Sequence, residues 1–273
     1  MIWGILLLTV LGFLFGLGLA IVAKFFKVEE SPKISEILAS LPGANCGACG
    51  YPGCAGYAHA VVEKGAEINL CVPGGPSLVE KIGNIMGKTA SARTKFVAKV
   101  FCLGDDAVSL KDYQFNGEDD CSAVYSFYQG DKTCKYGCVG KGNCIRICPV
   151  NAIKRDEFNR VWVNESECIS CEKCVKICPP QVIKMIPLDG GHFVACSSHD
   201  KGGVVKQICK RGCFGCKICE KVTQEPDRIV VGDNLAVVKY DHKGDLHNAA
   251  VKCPANVIIP IKNQNNLEIK KTT

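Results

Sequence analysis

No G-x-G-x-x-G fingerprint follows a strand-like segment in this chain, and no Walker phosphate loop is present. Nucleotide and flavin chemistry therefore belong on other chains. No side chain is called for as an acid, base or nucleophile. Long basic runs are missing too. A net charge of +6, from 33 Lys+Arg against 27 Asp+Glu, is too modest and too dispersed for nucleic-acid binding. At the start of the first apolar run, Met1-Ile2-Trp3 supplies no basic side chain, which argues against a cleaved signal peptide.

What is present begins with that run. Ile2 to Ala23 is apolar except for glycines and Thr9, and at about 1.5 Å per residue it spans roughly 33 Å, enough for a hydrocarbon core. Lys24 and Lys27 follow it, so the positive-inside tendency puts the rest of the chain on the cytoplasmic side of a single-pass anchor. Gly12 and Gly16 form a G-x-x-x-G face, a spacing common in anchors and weak evidence of a partner helix.

The 273 residues contain 20 cysteines, and they are patterned. Cys121, Cys134, Cys138, Cys144 and Cys178 recur 75 positions later as Cys196, Cys209, Cys213, Cys219 and Cys253. Cys148-Pro149 precedes Cys178-Pro179 by 30 residues, as Thr223 precedes Cys253-Pro254. Repeated C-x2-C pairs and Cys-Pro dipeptides have no place in a disulfide scaffold, and tight C-x2-C turns suit disulfide geometry poorly. They are the signature of [4Fe-4S] clusters with crossed ligation, in which the fourth cysteine of one half holds the cluster of the other. The expectation is an electron carrier in a reducing compartment.

Four clusters are expected. The first uses Cys46, Cys49, Cys54 and Cys71, with Gly47, Gly50 and Gly53 letting the backbone approach; structural zinc is the competing reading. The second uses Cys148, Cys168, Cys171 and Cys174. The third has Cys138, Cys144 and Cys178, because Lys141 replaces the middle thiol; Cys134 is the expected fourth ligand, and a [3Fe-4S] cluster is the rival. The fourth uses Cys213, Cys216, Cys219 and Cys253. Its partner is expected to be absent, since Thr223, Lys243, Leu246 and Ala249 occupy the ligand positions and His242 and His247 read as surface residues. Cys102, Cys121, Cys196 and Cys209 stay unassigned; buried thiols or a paired structural role is the plainer reading.

The expected class is α+β: a transmembrane anchor (1–26), a small four-cysteine [4Fe-4S] domain (27–78), a connector (79–120), two tandem bacterial-ferredoxin-like modules (121–195 and 196–260) and a polar tail (261–273). A helix is expected from Ser31-Pro32 with Ile34, Ile37, Leu38 and Leu41 on one face, and another over 55–64. Strands are expected at 97–103, 161–163 and 236–238.

In this order of parts, and in the stretches Asn45-Cys46-Gly47-Ala48-Cys49-Gly50-Tyr51-Pro52-Gly53-Cys54-Ala55-Gly56-Tyr57 and Cys134-Lys135-Tyr136-Gly137-Cys138-Val139-Gly140-Lys141-Gly142, the chain resembles the B subunit of the Rnf complex over nearly its whole length. The resemblance implies a membrane complex that couples electron flow between ferredoxin and NAD to Na+ or H+ transport. The B subunit would be its cytoplasm-facing, electron-accepting module. Partners would be the other membrane and peripheral Rnf subunits, soluble ferredoxin and the lipid bilayer. The missing last cluster of the second module departs from the pattern. Lys201, Lys206, Lys210, Arg211, Lys217 and Lys221 crowd that module's cluster loop, and Lys210, Arg211 and Lys217 form a candidate ferredoxin docking site. The alternatives are a polyferredoxin-type subunit of another membrane oxidoreductase and an iron–sulfur redox sensor. Several clusters on one chain favour conduction over sensing.

Overall fold

In the computed structural model, which describes residues 2–25, 31–91, 93–242 and 244–262, the apolar run forms one helix, α1 (Ile2–Phe25). The stretch Ile2–Val22 is long and apolar enough to cross a membrane, and none of it packs against the rest of the chain. Its single hydroxyl is satisfied within the helix, as an apolar solvent requires: Thr9 Oγ1 donates to the Leu6 carbonyl at 2.9 Å. Lys27, Lys243 and the polar tail from Asn263 lie outside the described residues, as does the side chain of Lys24.

The next unit is helical. α2 (Pro32–Ser40) opens on Pro32, whose missing N–H costs nothing at a helix start. Together with α3 (Gly53–Glu63) and α4 (Gly75–Met86) it encloses Ile34, Ile37, Tyr57, Val61, Leu78 and Ile82. Leu38, expected on the packed face, is exposed, so the buried stripe is narrower than the sequence periodicity implies.

Two β-containing modules follow, each built from an outer strand pair and an inner hairpin. In the first, β1 (Phe96–Val100) pairs antiparallel with β4 (Ile183–Pro187), and β2 (Ile153–Arg155) with β3 (Val161–Val163). In the second, β5 (His192–Val194) pairs with β8 (Ile258–Pro260), and β6 (Ile229–Gly232) with β7 (Leu235–Val238). β1 lies in the segment expected to be a connector, yet its register with β4 makes it the first module's outer strand. Val97 and Val100 bury against Ile153, Val163 and Ile183. Phe193 and Ile259 of the second module enter the same core, so the modules share apolar packing. Short helices carry the cysteine loops: α5 (Cys121–Ser126), α6 (Asn143–Ile147) and α7 (Lys173–Lys176) in the first module, α8 (Gly202–Ile208), α9 (Ile218–Val222) and α10 (His247–Val251) in the second.

The loop after β1 clasps the second module. Leu110 N donates to the Ile208 carbonyl at 2.8 Å, and Lys210 N to that of Val108 at 2.9 Å. Ser197 Oγ also donates to the Phe101 carbonyl at 2.9 Å.

Candidate iron–sulfur centres

In the helical unit, Gly47, Gly50 and Gly53 all take positive φ (74°, 86° and 79°), which winds the loop tightly around Cys46 and Cys49. Asn45 holds the turn by accepting the Cys54 N–H at 2.8 Å on Oδ1. A side chain at Gly53 would collide with that oxygen, at 2.9 Å from its Cβ. Cys71 arrives from the far side, behind a segment pinned by Tyr57, whose hydroxyl donates to the Glu67 carbonyl (2.8 Å) and accepts from Leu70 N (3.3 Å). Cys71 is buried in this unit's apolar core with Cys49 and Cys54 packed against it. Burial raises the Cys71 thiol, and the Cys49, Cys54 and Cys46 sulfurs raise it further.

Cysteines also line three cavities in the modules in the crossed manner. One is lined by Cys148, Cys168, Cys171 and Cys174, another by Cys213, Cys216, Cys219 and Cys253. Leu246 and Ala249, in the positions of the absent ligands, are buried in the second module's apolar core. Thr223 spends its hydroxyl on the Cys219 carbonyl, at 2.7 Å. His242 and His247 are exposed.

The third cavity differs from expectation in one residue. It is lined by Cys138, Cys144, Cys178 and Cys121, and Cys134 is not among its walls. Cys121 opens α5, whose start is capped by Asp120 accepting the Ser122 and Ala123 N–H groups. Asn143, next to Cys144, accepts the Cys121 N–H at 2.9 Å and donates to Asp120 at 2.7 Å. This bracket brings Cys121, from upstream, into the wall of the cavity that Cys138, Cys144 and Cys178 line. Lys141 itself turns to Asp119, at 3.4 Å. Burial pushes the Cys144 thiol up to about 12, with Cys121 and Cys178 adding to it. Only the spatial position of α5 identifies this residue; its spacing does not.

Cys134 instead lines a fourth cavity with Cys102, Cys196 and Cys209, the residues otherwise without a place apart from Cys121. The four cavities are alike in size. Among the described residues, no group of three or more His, Cys, Asp or Glu side chains is arranged to hold a single metal ion. Tetrahedral zinc would need its sulfurs at about 2.3 Å from one point. Thiols set around cavities suit a bulkier inorganic core, and the donor set fits iron–sulfur clusters.

Of the candidate docking residues, Lys210 and Lys217 are exposed, while Arg211 is half-buried and reaches the wall of the fourth cavity. Lys206 lies 5.0 Å from the ring of Phe214, and Cys216 is exposed at the rim of the second module's centre.

Helix-borne and hairpin-borne cysteine loops of this kind define a ferredoxin-type iron–sulfur protein. A family model described as an Fe-S cluster matches residues 41–73, and one described as a 4Fe-4S dicluster domain matches residues 133–182. The chain is 38% identical over 252 residues to the B subunit of the Na(+)-translocating ferredoxin:NAD(+) oxidoreductase complex of Acetobacterium woodii, covering 92% of this chain and 75% of the relative. It is 41% identical over 217 residues to the B subunit of the ion-translocating oxidoreductase complex of Methanosarcina acetivorans (80% and 82% covered). It is 36% identical over 267 residues to the B subunit of the proton-translocating ferredoxin:NAD(+) oxidoreductase complex of Clostridium ljungdahlii (97% and 94%). The chain belongs to the family of B subunits of ion-translocating oxidoreductase complexes, also called Rnf complexes.

Proposed function

We propose that this chain is the iron–sulfur electron-transfer subunit of an ion-translocating ferredoxin:NAD+ oxidoreductase, receiving electrons from reduced ferredoxin and relaying them toward NAD reduction on partner subunits. The observation that carries the reading is the set of cysteine-lined cavities assembled in crossed fashion within one chain. Four of the centres are [4Fe-4S] clusters held by Cys46/Cys49/Cys54/Cys71, Cys148/Cys168/Cys171/Cys174, Cys121/Cys138/Cys144/Cys178 and Cys213/Cys216/Cys219/Cys253. With Cys121 supplying a thiolate, the third set is complete, and a [3Fe-4S] cluster is not needed. When bound, such clusters supply one-electron storage at potentials low enough to match a ferredoxin donor. The chain's own residues hold them, shield them and set the charge around them.

α1 anchors the subunit in the cell membrane as a single pass, with the cluster units on the cytoplasmic side. Ferredoxin docks where a centre comes closest to solvent, beside exposed Cys216. There Lys210 and Lys217 make no ion pair among the described residues and are free to attract an acidic carrier. The test is anaerobic stopped-flow mixing of the complex with reduced ferredoxin. Lys210→Glu with Lys217→Glu is expected to slow reduction at low salt roughly tenfold and to flatten its salt dependence. Unchanged low-salt kinetics would remove this docking site, and failure of reduced ferredoxin to reduce the wild-type complex would remove the functional reading.

A further inference from the structure

The fourth cavity sits at the seam between the modules, and its cysteines come two from each. Cys102 lies two residues beyond the end of β1, and Cys196 two residues beyond the end of β5. Cys134 precedes Cys138 by four residues, as Cys209 precedes Cys213. The same hydrogen bond occurs on both sides: Cys138 N donates to Cys102 Sγ at 3.3 Å, and Cys213 N donates to Cys196 Sγ at 3.3 Å. Cys102 and Cys196 are therefore structural equivalents, and each module gives the cavity a matching pair of cysteines. The 75-residue spacing hides this, because it pairs Cys196 with Cys121.

The sulfurs share one space. A Cβ placed on Gly104 would lie 3.5 Å from both Cys102 Sγ and Cys209 Sγ, so these sulfurs are at most twice that distance apart. Burial pushes Cys134 and Cys209 up to about 11, and in each case the Cys102 sulfur adds to the effect. The walls are tight elsewhere: a side chain at Gly212 would meet Val205 at 2.1 Å. Lys132, itself buried, donates from Nζ to the Gly104 carbonyl at 2.6 Å, placing a cation in the cavity wall.

We infer that Cys102, Cys134, Cys196 and Cys209 hold a fifth [4Fe-4S] cluster, bound jointly by the two modules. This inference rests on the electron-carrier reading above and extends it. The two sulfur-accepting hydrogen bonds join this site to its neighbours on either side, since Cys138 belongs to one adjoining centre and Cys213 to the other. The site fills the gap between the first module's pair of centres and the second module's single one. With it, all 20 cysteines belong to five sets of four.

The test is iron and acid-labile sulfide quantification on anaerobically purified full-length chain, with Cys209→Ala and Cys102→Ser beside the wild type. The wild type is expected to carry about 20 iron atoms and each variant about 16, without loss of the other centres' paramagnetic signals. A wild-type value of about 16 overturns the fifth site while leaving the electron-carrier reading standing, as does a variant that keeps the full wild-type iron. Colourless or zinc-loaded protein overturns both. If a variant does not fold, the wild-type count still decides.

Discussion

Cys121 and Cys134 both lie upstream of the Cys138 loop, and they line different cavities. Replacing either by serine is expected to remove about four iron atoms, and replacing both to remove about eight. If only one of them were a ligand, the double replacement would lose no more than a single one, so iron quantification on the three variants separates the cases. Asn143 acts on this chemistry from outside it, by fixing the backbone that presents Cys121. Lys132 acts through charge. Buried and close to Cys138 and Cys209, its ammonium favours the more negative, reduced state of whatever those thiolates hold. Lys132→Met is expected to lower the midpoint potential of an adjoining centre by about tens of millivolts, read by potentiometric titration. An unchanged potential would mean that solvent screens this cation despite its burial.

At the scale of elements, α3 carries Tyr57, whose hydroxyl ties the Glu67–Leu70 segment in front of Cys71. Burial raises this phenol to about 12 from the ordinary 10. Its folded-state value lies above the unfolded one, so the stabilisation is complete below pH 10 and is lost as pH rises through about 12. Alkaline bleaching of the N-terminal centre, followed by visible absorbance, is expected in this window in the wild type. In Tyr57→Phe the titration is absent, and the loss of two hydrogen bonds costs about 1–2 kcal/mol at neutral pH. β1 illustrates how far the sequence was legible. Its valines read as a strand, but their partner, β4, lies more than 80 residues on, and no local pattern announces that pairing. The same limit left Cys121 and Cys102 without a place in the sequence. C-x2-C-x2-C spacings are written within a single loop and can be read directly, whereas Cys121 and Cys102 reach their sites through the placement of α5 and β1. Cys102 stands off the 75-residue lattice, and Cys121 falls on it by coincidence of spacing. Val97→Asp, which buries a charge in the shared core, is expected to destabilise the first module by about 3 kcal/mol or more, measurable as a lowered denaturant midpoint.

Across the whole molecule the module centres follow one another. Cys174 is pushed up to about 12 by burial, then by Cys168 and by Cys144 of the next centre, so the first module's two sites adjoin. The seam cavity meets the two modules through the amides of Cys138 and Cys213, and Cys216 of the second module is exposed. The account is thus of a membrane-anchored row of iron–sulfur centres. The most direct test of it is a reductive titration of the anaerobic full-length protein, with reduced ferredoxin as donor, followed by electron paramagnetic resonance. The account predicts several low-potential centres whose spectra broaden and split by mutual magnetic interaction as neighbours become reduced. Non-interacting signals, or centres that ferredoxin cannot reduce, would contradict it.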